Sequence, residues 1–512
     1  MLIKTYGSAV HGVRATTITI EVNISQGIRF FIVGLADSTI RESQQRIESA
    51  LSNNGFEWPR YKVVINMAPA DIRKEGTHFD LPLAIGILAA SNQFTADRLN
   101  DYSILGELSL DGSVMPVRGV LPMVLNAKES GFAGIIVPAK NAEEASVVDG
   151  INVIPTKNLV EAVSFLNGSL HIPPARMEEH SNFKLNKDQN GVDFSEVKGQ
   201  HAVKRALLIA SAGNHNLMMV GPPGSGKTML AKRVQTILPP MTLQESLETT
   251  KIHSVAGKIE SNGKLVTTRP FRSPHHTISN IALIGGGVSP KPGEISLAHN
   301  GVLFLDELPE FKRNVLEVLR QPVEERSINV SRANYTVVYP ASFMLIASMN
   351  PCPCGFYNHP DKECNCGPGM VKRYLSRISG PLLDRIDIHM EVTPVPYRHL
   401  TDSANSENSA SMREKVIAAR AIQERRFKKF DHVFSNAQMG PGLMKQHCML
   451  NRAGESIINL AMQRLGLSAR SYDRIRKVSR TIADLEESEQ ILSIHVAEAV
   501  NYRTLDREGW SG

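Results

Sequence analysis

The sequence is poor in cysteine and tryptophan, and it has no long apolar run. It holds 5 Cys and 2 Trp among 512 residues, and so few cysteines exclude a disulfide-stapled secreted scaffold. The longest apolar stretch lies near Leu81–Ala90, far below the ~20 residues that a membrane-spanning helix needs. Residues 1–14 lack the apolar core of a signal peptide. These absences predict a cytosolic protein with no membrane partner.

The chain also lacks a strong excess of either positive or negative charge. The chain has 57 Lys and Arg against 51 Asp and Glu, a net charge of +6, which permits a polyanionic partner without requiring one. Hydrophobic residues make up 42% and charged residues 21%, as in ordinary globular chains. A chain of 512 residues is too long for one hydrophobic core, so several domains are expected.

Hydrophobic patterning divides the chain into three blocks and a linker. Residues 1–168 predict an α+β domain, residues 169–192 a linker, residues 193–396 an α/β core, and residues 397–512 a helical domain. The low-complexity segment Thr401–Ser411 predicts a flexible loop. The predicted strands of the first block are Thr17–Val22, Arg29–Val33, Tyr61–Asn66, Ala133–Val137 and Asn152–Pro155, and its helices are Ser38–Asn53, Leu81–Ser91 and Asn141–Val148. The predicted helices of the last block are Met412–Phe430, Glu455–Leu465, Ala469–Leu485 and Ile494–Leu505.

A complete phosphate-binding motif follows the short apolar run Leu217–Val220. Its spacing, G-x-x-x-x-G-K-[ST] between a strand and a helix, predicts a loop whose N–H groups surround the phosphates of ATP. Lys227 would reach the β- and γ-phosphates, and the Thr228 hydroxyl would bind Mg²⁺. The residues of the loop are Gly221, Pro222, Pro223, Gly224, Ser225, Gly226, Lys227 and Thr228.

Two further strands bring polar groups to the same predicted edge. Asp306 and Glu307 follow the apolar run from Gly301, where ligands bind in open α/β sheets. Asp306 would hold Mg²⁺ and Glu307 would polarise the attacking water, which makes hydrolysis a better prediction than simple nucleotide binding. Asn350 ends a third strand, Phe343–Ser348, and would orient that water against the γ-phosphate.

Four of the five cysteines lie within fifteen residues, at Cys352, Cys354, Cys364 and Cys366. Four thiolates suit a closed, tetrahedral structural Zn²⁺ site. The competing interpretation is a set of unmetallated thiols. Because four cysteines leave no open coordination position, catalysis by such a metal is not expected.

The order of these motifs resembles that of AAA+ ATPases, and within them the magnesium-chelatase-like ComM/YifB family. The most specific stretches are Phe271–His276, Pro292–His299, Asp306–Phe311 and Asn350–Gly355. The resemblance implies a Lon-protease-like N-terminal domain of the ribosomal S5 domain 2-like type, an αβα P-loop core and a helical C-terminal lid. The three blocks match that order.

The resemblance also assigns roles to three arginines and to Asn350. Asn350 is similar to the sensor-1 residue, Arg385 to an arginine finger acting on the neighbouring subunit, and Arg470 to the sensor-2 residue of the lid. Guanidinium groups suit the negative charge of a phosphoryl-transfer transition state. The segments Ser327–Ser331 and Tyr335–Tyr339 predict a hairpin that resembles the presensor-1 hairpin of these ATPases, with Arg332 at its tip as a DNA-backbone contact.

The first block resembles Lon-type proteases without their catalytic pair. In the matching segment, His78 stands in place of the nucleophilic serine and Leu121 in place of the lysine. A Ser–Lys pair is needed to make the hydroxyl nucleophilic, so no peptidase activity is expected.

The resemblance implies a homo-oligomeric, hexameric ATPase that acts on single-stranded or branched DNA. A ComM-like helicase or branch-migration factor in recombination or natural transformation is the leading hypothesis. The alternative is a chaperone-like ATPase that remodels a protein partner, as in magnesium chelatase.

Overall fold

The chain forms two compact units in the computed structural model. One unit comprises Met1–Lys184 with Leu243–Thr267, and the other comprises Leu185–Thr242 with Thr268–Gly512. The structure describes residues 2–95, 97–176, 191–259, 265–287, 290–332, 335–357, 359, 361–395, 407–430 and 433–503, with the backbone alone at residues 331, 332, 335 and 368. Within these residues, no helix is long and apolar enough to cross a membrane.

The secondary structure of the described residues alternates strands and helices up to the last strand and is helical from there on. The strands are β1 (Leu2–His11), β2 (Arg14–Ser25), β3 (Phe30–Val33), β4 (Lys62–Ala68), β5 (Tyr102–Ile104), β6 (Glu107–Leu108), β7 (Val114–Met115), β8 (Gly134–Pro138), β9 (Asn152–Thr156), β10 (Leu217–Val220), β11 (Phe271–Arg272), β12 (Gly285–Gly286), β13 (Lys291–Pro292), β14 (Val302–Leu305), β15 (Ser327–Arg332), β16 (Tyr335–Pro340), β17 (Met344–Met349) and β18 (Ile388–Glu391). The α-helices are α1 (Ser38–Arg41), α2 (Ser43–Asn53), α3 (Asp80–Ala90), α4 (Val120–Glu129), α5 (Ala142–Ala145), α6 (Leu159–Leu166), α7 (His201–Gly213), α8 (Lys227–Ile237), α9 (Leu243–Ala256), α10 (Asn280–Ile284), α11 (Glu294–Leu297), α12 (Arg313–Val318), α13 (Arg320–Glu325), α14 (Pro368–Leu375), α15 (Gly380–Leu383), α16 (Ser409–Phe427), α17 (Pro441–His447), α18 (Arg452–Leu465), α19 (Ala469–Leu485) and α20 (Ser493–Asn501).

The first unit is built on a seven-stranded mixed sheet of order β3-β4-β2-β1-β5-β8-β9. The pairs β1/β2 and β2/β4 are antiparallel, and the other neighbours are parallel. Helix α3 is apolar on every side and fully buried, which is the pattern of a helix enclosed by a core. Helix α9 packs on α4, so a segment that follows the phosphate-loop helix in sequence belongs to the first unit.

The second unit is built on a five-stranded, all-parallel sheet of order β11-β14-β17-β10-β18. Its central strands are continuous apolar runs because both faces are covered. One hydrophobic core joins the sheet, helices α7 and α8, and the C-terminal helices. The C-terminal helices therefore pack as part of the same unit as the sheet.

Most predicted elements are confirmed, and several boundaries are corrected. The predicted helix Ser38–Asn53 is two helices that meet at Glu42, and the predicted helix Asn141–Val148 is the single turn α5, where the Ser146 hydroxyl bonds the carbonyl of Glu143 at 2.9 Å. The expected loop Thr401–Ser411 is already helical from Ser409, because the Asn408 side chain caps α16. Residues 177–190 of the linker, residues 401–406 of that loop and residues 504–505 of the last predicted helix lie outside the described residues.

Candidate functional site

The phosphate loop lies at the carboxyl edge of the parallel sheet. Strand β10 pairs with β17 on one side and with β18 on the other, so Val220 stands beside Met349 and Glu391. The loop begins after Val220, and α8 begins at Lys227. Gly226 has a φ of +88°, a conformation that costs other residues strain. The local sequence therefore turns the chain sharply from a buried strand into a helix N-terminus, as a phosphate site requires.

Lys227 is held over the loop by oxygen acceptors from the loop itself and from Asn350. Its Nζ donates to the carbonyls of Gly221 at 2.7 Å and Pro222 at 2.9 Å, and to Oδ1 of Asn350 at 3.2 Å. Burial lowers the pKa of Lys227, with Asp306 and Glu307 acting in the opposite direction. The structure thus brings the predicted lysine and Asn350 into direct contact, across neighbouring strands.

Asp306, the first residue of the acidic pair, contacts the residue that ends the phosphate loop. The Thr228 hydroxyl donates to Oδ2 of Asp306 at 2.6 Å, and the Ser348 hydroxyl donates to Oδ1. A hydroxyl and a carboxylate at this separation are the oxygen ligands that Mg²⁺ prefers. Ser348 was not among the predicted site residues, although its place at the end of β17 is a signal that would have found it.

Glu307 adopts a left-handed backbone conformation, with a φ of +54°, which is uncommon outside glycine and asparagine. Its backbone N–H donates to Oδ1 of Asp306 at 3.1 Å. Its side chain is 56% exposed, and Oε2 lies 3.4 Å from Nδ1 of His276. The turn therefore presents the carboxylate to solvent beside the Mg²⁺ ligands, with one imidazole next to it.

The two arginines assigned by resemblance are placed differently. Arg385 donates to Glu324 through Nε at 2.8 Å and to the carbonyl of Pro381 at 2.7 Å, and neither partner belongs to the phosphate loop. Arg470 is exposed in the first turn of α19. Neither side chain is brought to Lys227 of its own chain by a contact, so their assignment to the ATP site stays a prediction.

A buried ion pair fixes the helix that carries Arg470. Asp387 accepts from Nη1 of Arg474 at 2.7 Å and from the backbone N–H of Asn216 at 2.8 Å. Burial raises the pKa of Asp387, but the Arg474 charge and the hydrogen bonds outweigh it and hold that pKa well below its ordinary range. Sequence reasoning missed Arg474, because nothing local distinguishes it from the other basic residues of α19.

The four predicted cysteines converge. Their sulfurs all lie within 4.8 Å of one another, with Cys352 3.4 Å from Cys354 and 3.7 Å from Cys364. Tetrahedral Zn²⁺ with bonds near 2.3 Å holds its sulfurs about 3.8 Å apart. The backbone N–H groups of Gly355 and Tyr357 point at the Cys352 sulfur, at 3.2 and 3.3 Å, as N–H groups that donate to a metal-bound thiolate do.

The cysteine loop packs directly on the phosphate loop. Gly355 has a φ of +84°, and a Cβ there would stand 2.4 Å from Cδ of Pro223. Only glycine permits this approach, because both the backbone conformation and the space exclude a side chain. The cysteine cluster is thereby joined to the ATP site at two points, Pro223 and the nearby Asn350.

The predicted hairpin is present as β15 and β16, in antiparallel register from Ser327↔Pro340 to Arg332↔Tyr335. Arg332 is therefore the last residue of β15, and residues 333–334 and the Arg332 side chain lie outside the described residues.

Helix α16 is rich in Lys and Arg, and two of its arginines contact their own unit. Arg426 pairs with Asp484 at 2.5 Å, and Arg420 donates to the carbonyl of Ser211 at 3.2 Å.

The two Lon-like positions lie inside the first unit, with His78 half-buried and Leu121 buried. His78 Nε2 lies 2.9 Å from the carbonyl oxygen of Ser8, and burial lowers the pKa of His78 to about 4. Leu121 is fully buried in an apolar cluster. Its backbone N–H donates to Glu144 at 3.2 Å, and burial raises the pKa of Glu144. An imidazole bonded to a backbone carbonyl and a buried leucine are poor replacements for a serine activated by a lysine.

Comparison with known proteins agrees with this architecture. Residues 193–400 match the family described as magnesium chelatase, subunit ChlI, and residues 20–141 and 406–503 match two further families named for the same subunit and its C-terminal region. The chain is 46% identical to Competence protein ComM of Haemophilus influenzae over 507 residues, which is 98% of this chain and 97% of the relative. The chain belongs to the ComM/YifB family of magnesium-chelatase-like AAA+ ATPases.

Two other relatives add to this assignment. Protein YifB of Escherichia coli is 42% identical over 501 residues, 98% of this chain and 96% of the relative. Lon protease 2 of Bacillus subtilis is 28% identical over 152 residues, 30% of this chain and 26% of the relative, and this similarity falls at the N-terminus. Membership of the AAA+ ATPases implies ATP and Mg²⁺, and the donor set around Thr228 and Asp306 fits both.

Proposed function

We propose that the chain is a subunit of a hexameric, ATP-driven motor that acts on single-stranded or branched DNA during recombination or natural transformation. The observation that carries the ATP-driven part is the 2.6 Å contact between Thr228 and Asp306 beside the phosphate loop. The Haemophilus influenzae relative is named a competence protein, which supports the DNA part.

Within this proposal, each group at the sheet edge has one task. Lys227 binds the β- and γ-phosphates, while Thr228 and Asp306 hold Mg²⁺, which neutralises charge on the phosphates when bound. Glu307 polarises the attacking water, and Asn350 orients it against the γ-phosphate. These tasks follow from the position of each side chain at the carboxyl ends of β10, β14 and β17.

Two arginines complete the proposed machinery. Arg385 acts on the ATP of a neighbouring subunit, and Arg470 acts from the lid helix, because a guanidinium group neutralises charge on the transferring phosphoryl group. In the part of the chain that the structure describes, the contacts of Arg385 are to Glu324 and Pro381 and not to the phosphate loop, which supports a role in the neighbouring site.

Two basic features support a polyanionic partner. Arg332 ends a strand of the hairpin, where a cation can follow a nucleic-acid backbone. A cavity of about 530 Å³ is lined by four cations, Lys312, Arg313, Arg373 and Arg377, together with one carboxylate, Glu310. Contacts of this kind are independent of base sequence and weaken as salt rises.

The test is the steady-state ATPase rate of the full chain with single-stranded, duplex and forked DNA at two salt concentrations. We expect DNA to stimulate wild type, salt to weaken the stimulation, and Glu307→Gln to abolish hydrolysis. Arg332→Ala should lose the stimulation, whereas Arg60→Ala, which removes an exposed cation of the first unit, should keep it. A rate that no DNA changes, but that Glu307→Gln abolishes, would reject the DNA motor and favour remodelling of a protein partner.

We further propose that the cysteine cluster holds one structural Zn²⁺, because its sulfur separations match a tetrahedral site and its closed ligand set leaves no position for substrate. Metal analysis of the purified chain should give about one zinc per chain. Cys352→Ser should lose it, whereas Cys448→Ser, at a buried cysteine outside the cluster, should retain it. A zinc content that Cys352→Ser leaves unchanged would contradict the proposal.

A further inference from the structure

Beside Glu307 stands a residue to which neither motif nor resemblance assigns a task. His276 follows β11, which pairs in parallel with the strand that ends before Asp306, with Phe271 opposite Val302. Neighbouring parallel strands deliver their following loops to the same edge of the sheet. The loop Ser273–Ile278 therefore arrives beside the carboxylates, and Nδ1 of His276 lies 3.4 Å from Oε2 of Glu307.

The His276 ring is fixed from both sides. It stacks on His275, with ring centroids 4.1 Å apart, and meets Phe311 edge-on at 6.4 Å. His275 is itself tied to the loop, since its Nδ1 lies 2.9 Å from the Thr277 hydroxyl. Phe311 lies on the same turn as Glu307, so the imidazole packs between its own loop and the segment that carries the carboxylate.

Glu307 needs such a neighbour. Its side chain is 56% exposed, and a long, exposed carboxylate samples several rotamers in water. Its backbone N–H donates to Asp306 and its carbonyl accepts from the backbone N–H of Glu310, whereas its carboxylate, among the described residues, lies next to the His276 imidazole. A group that polarises water acts only from a narrow range of positions.

We infer that His276 is the positioning residue for Glu307, holding its carboxylate through Nδ1 in the place from which it polarises the attacking water. The inference concerns the ATP site alone, so it does not depend on DNA as the partner. It makes the loop Ser273–Ile278 part of the hydrolytic machinery, because a shift of that loop moves His276 and frees Glu307.

The atom that makes the contact decides the experiment. An asparagine amide nitrogen reaches the place of Nδ1, whereas a glutamine amide nitrogen reaches the place of Nε2. We expect His276→Ala to lower kcat for ATP on the order of tenfold, a fraction of what a general base contributes, with little change in KM because ATP binding uses the phosphate loop. His276→Asn should recover most of kcat, and His276→Gln should not.

The matched control is His201→Ala, which removes an exposed histidine at the start of α7 and should leave kcat and KM unchanged. The inference is overturned if His276→Ala keeps the wild-type kcat, if KM rises in step with the fall in kcat, or if Gln rescues as well as Asn. Glu307→Gln, measured alongside without DNA, separates the two ideas. If that variant still hydrolyses ATP, the proposed role of Glu307 fails before the role of His276 is in question.

Discussion

Asp387 provides a sharp test of how the C-terminal helices are held to the sheet. Its carboxylate is completely buried and is bonded to Arg474, whose side chain is 15% exposed. The substitution Asp387→Asn keeps the size of the side chain and removes its charge. It removes the carboxylate that Arg474 contacts directly. It also places the amide hydrogens of asparagine against N–H groups that donate to the carboxylate in the wild-type chain.

The expected loss follows from the burial of this pair. Removing one partner of a buried ion pair costs about 3–5 kcal/mol. The second unit has about 300 residues, and an unfolding entropy of about 2.1 cal/mol/K per residue makes each kcal/mol worth about 1.6 °C of Tm. Asp387→Asn should therefore lower the Tm of the second unit by about 5–8 °C. Calorimetry of the full chain measures it, and the transition belongs to the second unit if a non-hydrolysable ATP analogue raises its midpoint.

The control is an exposed ion pair of the same unit. Arg377 and Glu310 lie 3.0 Å apart with side chains 51% and 43% exposed, so Arg377→Ala should cost about 0–1 kcal/mol. The double variant Asp387→Leu with Arg474→Met should recover much of the loss, because an apolar pair removes the uncompensated charge. A Tm for Asp387→Asn no lower than that for Arg377→Ala would refute this reasoning.

Three further predictions concern other parts of the chain. Gly355→Ala should raise the KM for ATP several-fold, because a Cβ would stand 2.4 Å from the proline ring of the phosphate loop, whereas Gly442→Ala, with open space at its Cβ, should not; equal KM values would contradict the contact. The first unit should lose stability as pH falls from about 6.5 to about 4, because the pKa of His78 is lowered to about 4 in the folded state while the unfolded chain takes up a proton near pH 6.5. The Tm measured across this pH range should depend less on pH in His78→Gln than in wild type. A variant whose Tm falls with pH as steeply as that of wild type would exclude His78 as the cause. Arg385→Ala and Lys227→Ala should each be inactive alone and regain ATPase activity when mixed, because mixed rings contain some sites with both residues; a mixture as inactive as its parts would remove Arg385 from the neighbouring site.

Local sequence was sufficient to predict a feature when a single strand or turn contains the residues that define it. The strand before the phosphate loop has the predicted bounds, Leu217–Val220, because four apolar residues before a glycine-rich turn leave few alternatives. The meeting of Asp306 with Thr228 and of Asn350 with Lys227 was also predictable. Three loops that follow parallel strands of one sheet must reach the same edge.

Sequence reasoning failed where packing between distant segments decides the outcome. The strand Leu2–His11 was missed because Thr5 and Ser8 interrupt its apolar alternation, although both are buried in the fold. The packing of Leu243–Ala256 within the first unit has no local signal, since its serine and threonine residues look like those of a solvated helix. The contact between His276 and Glu307 was hidden because it joins two motifs that were interpreted separately.

Three of the groups proposed for hydrolysis adjoin a segment outside the phosphate loop. Glu307 is in contact with the loop of His276, Asn350 adjoins the cysteine cluster, and Arg470 lies on the helix that Asp387 anchors. A partner that displaced any of these segments would change the hydrolysis rate without entering the phosphate loop. Such an effect would appear in kcat more than in KM, so the split between kcat and KM is the quantity that shows where a stimulating partner acts.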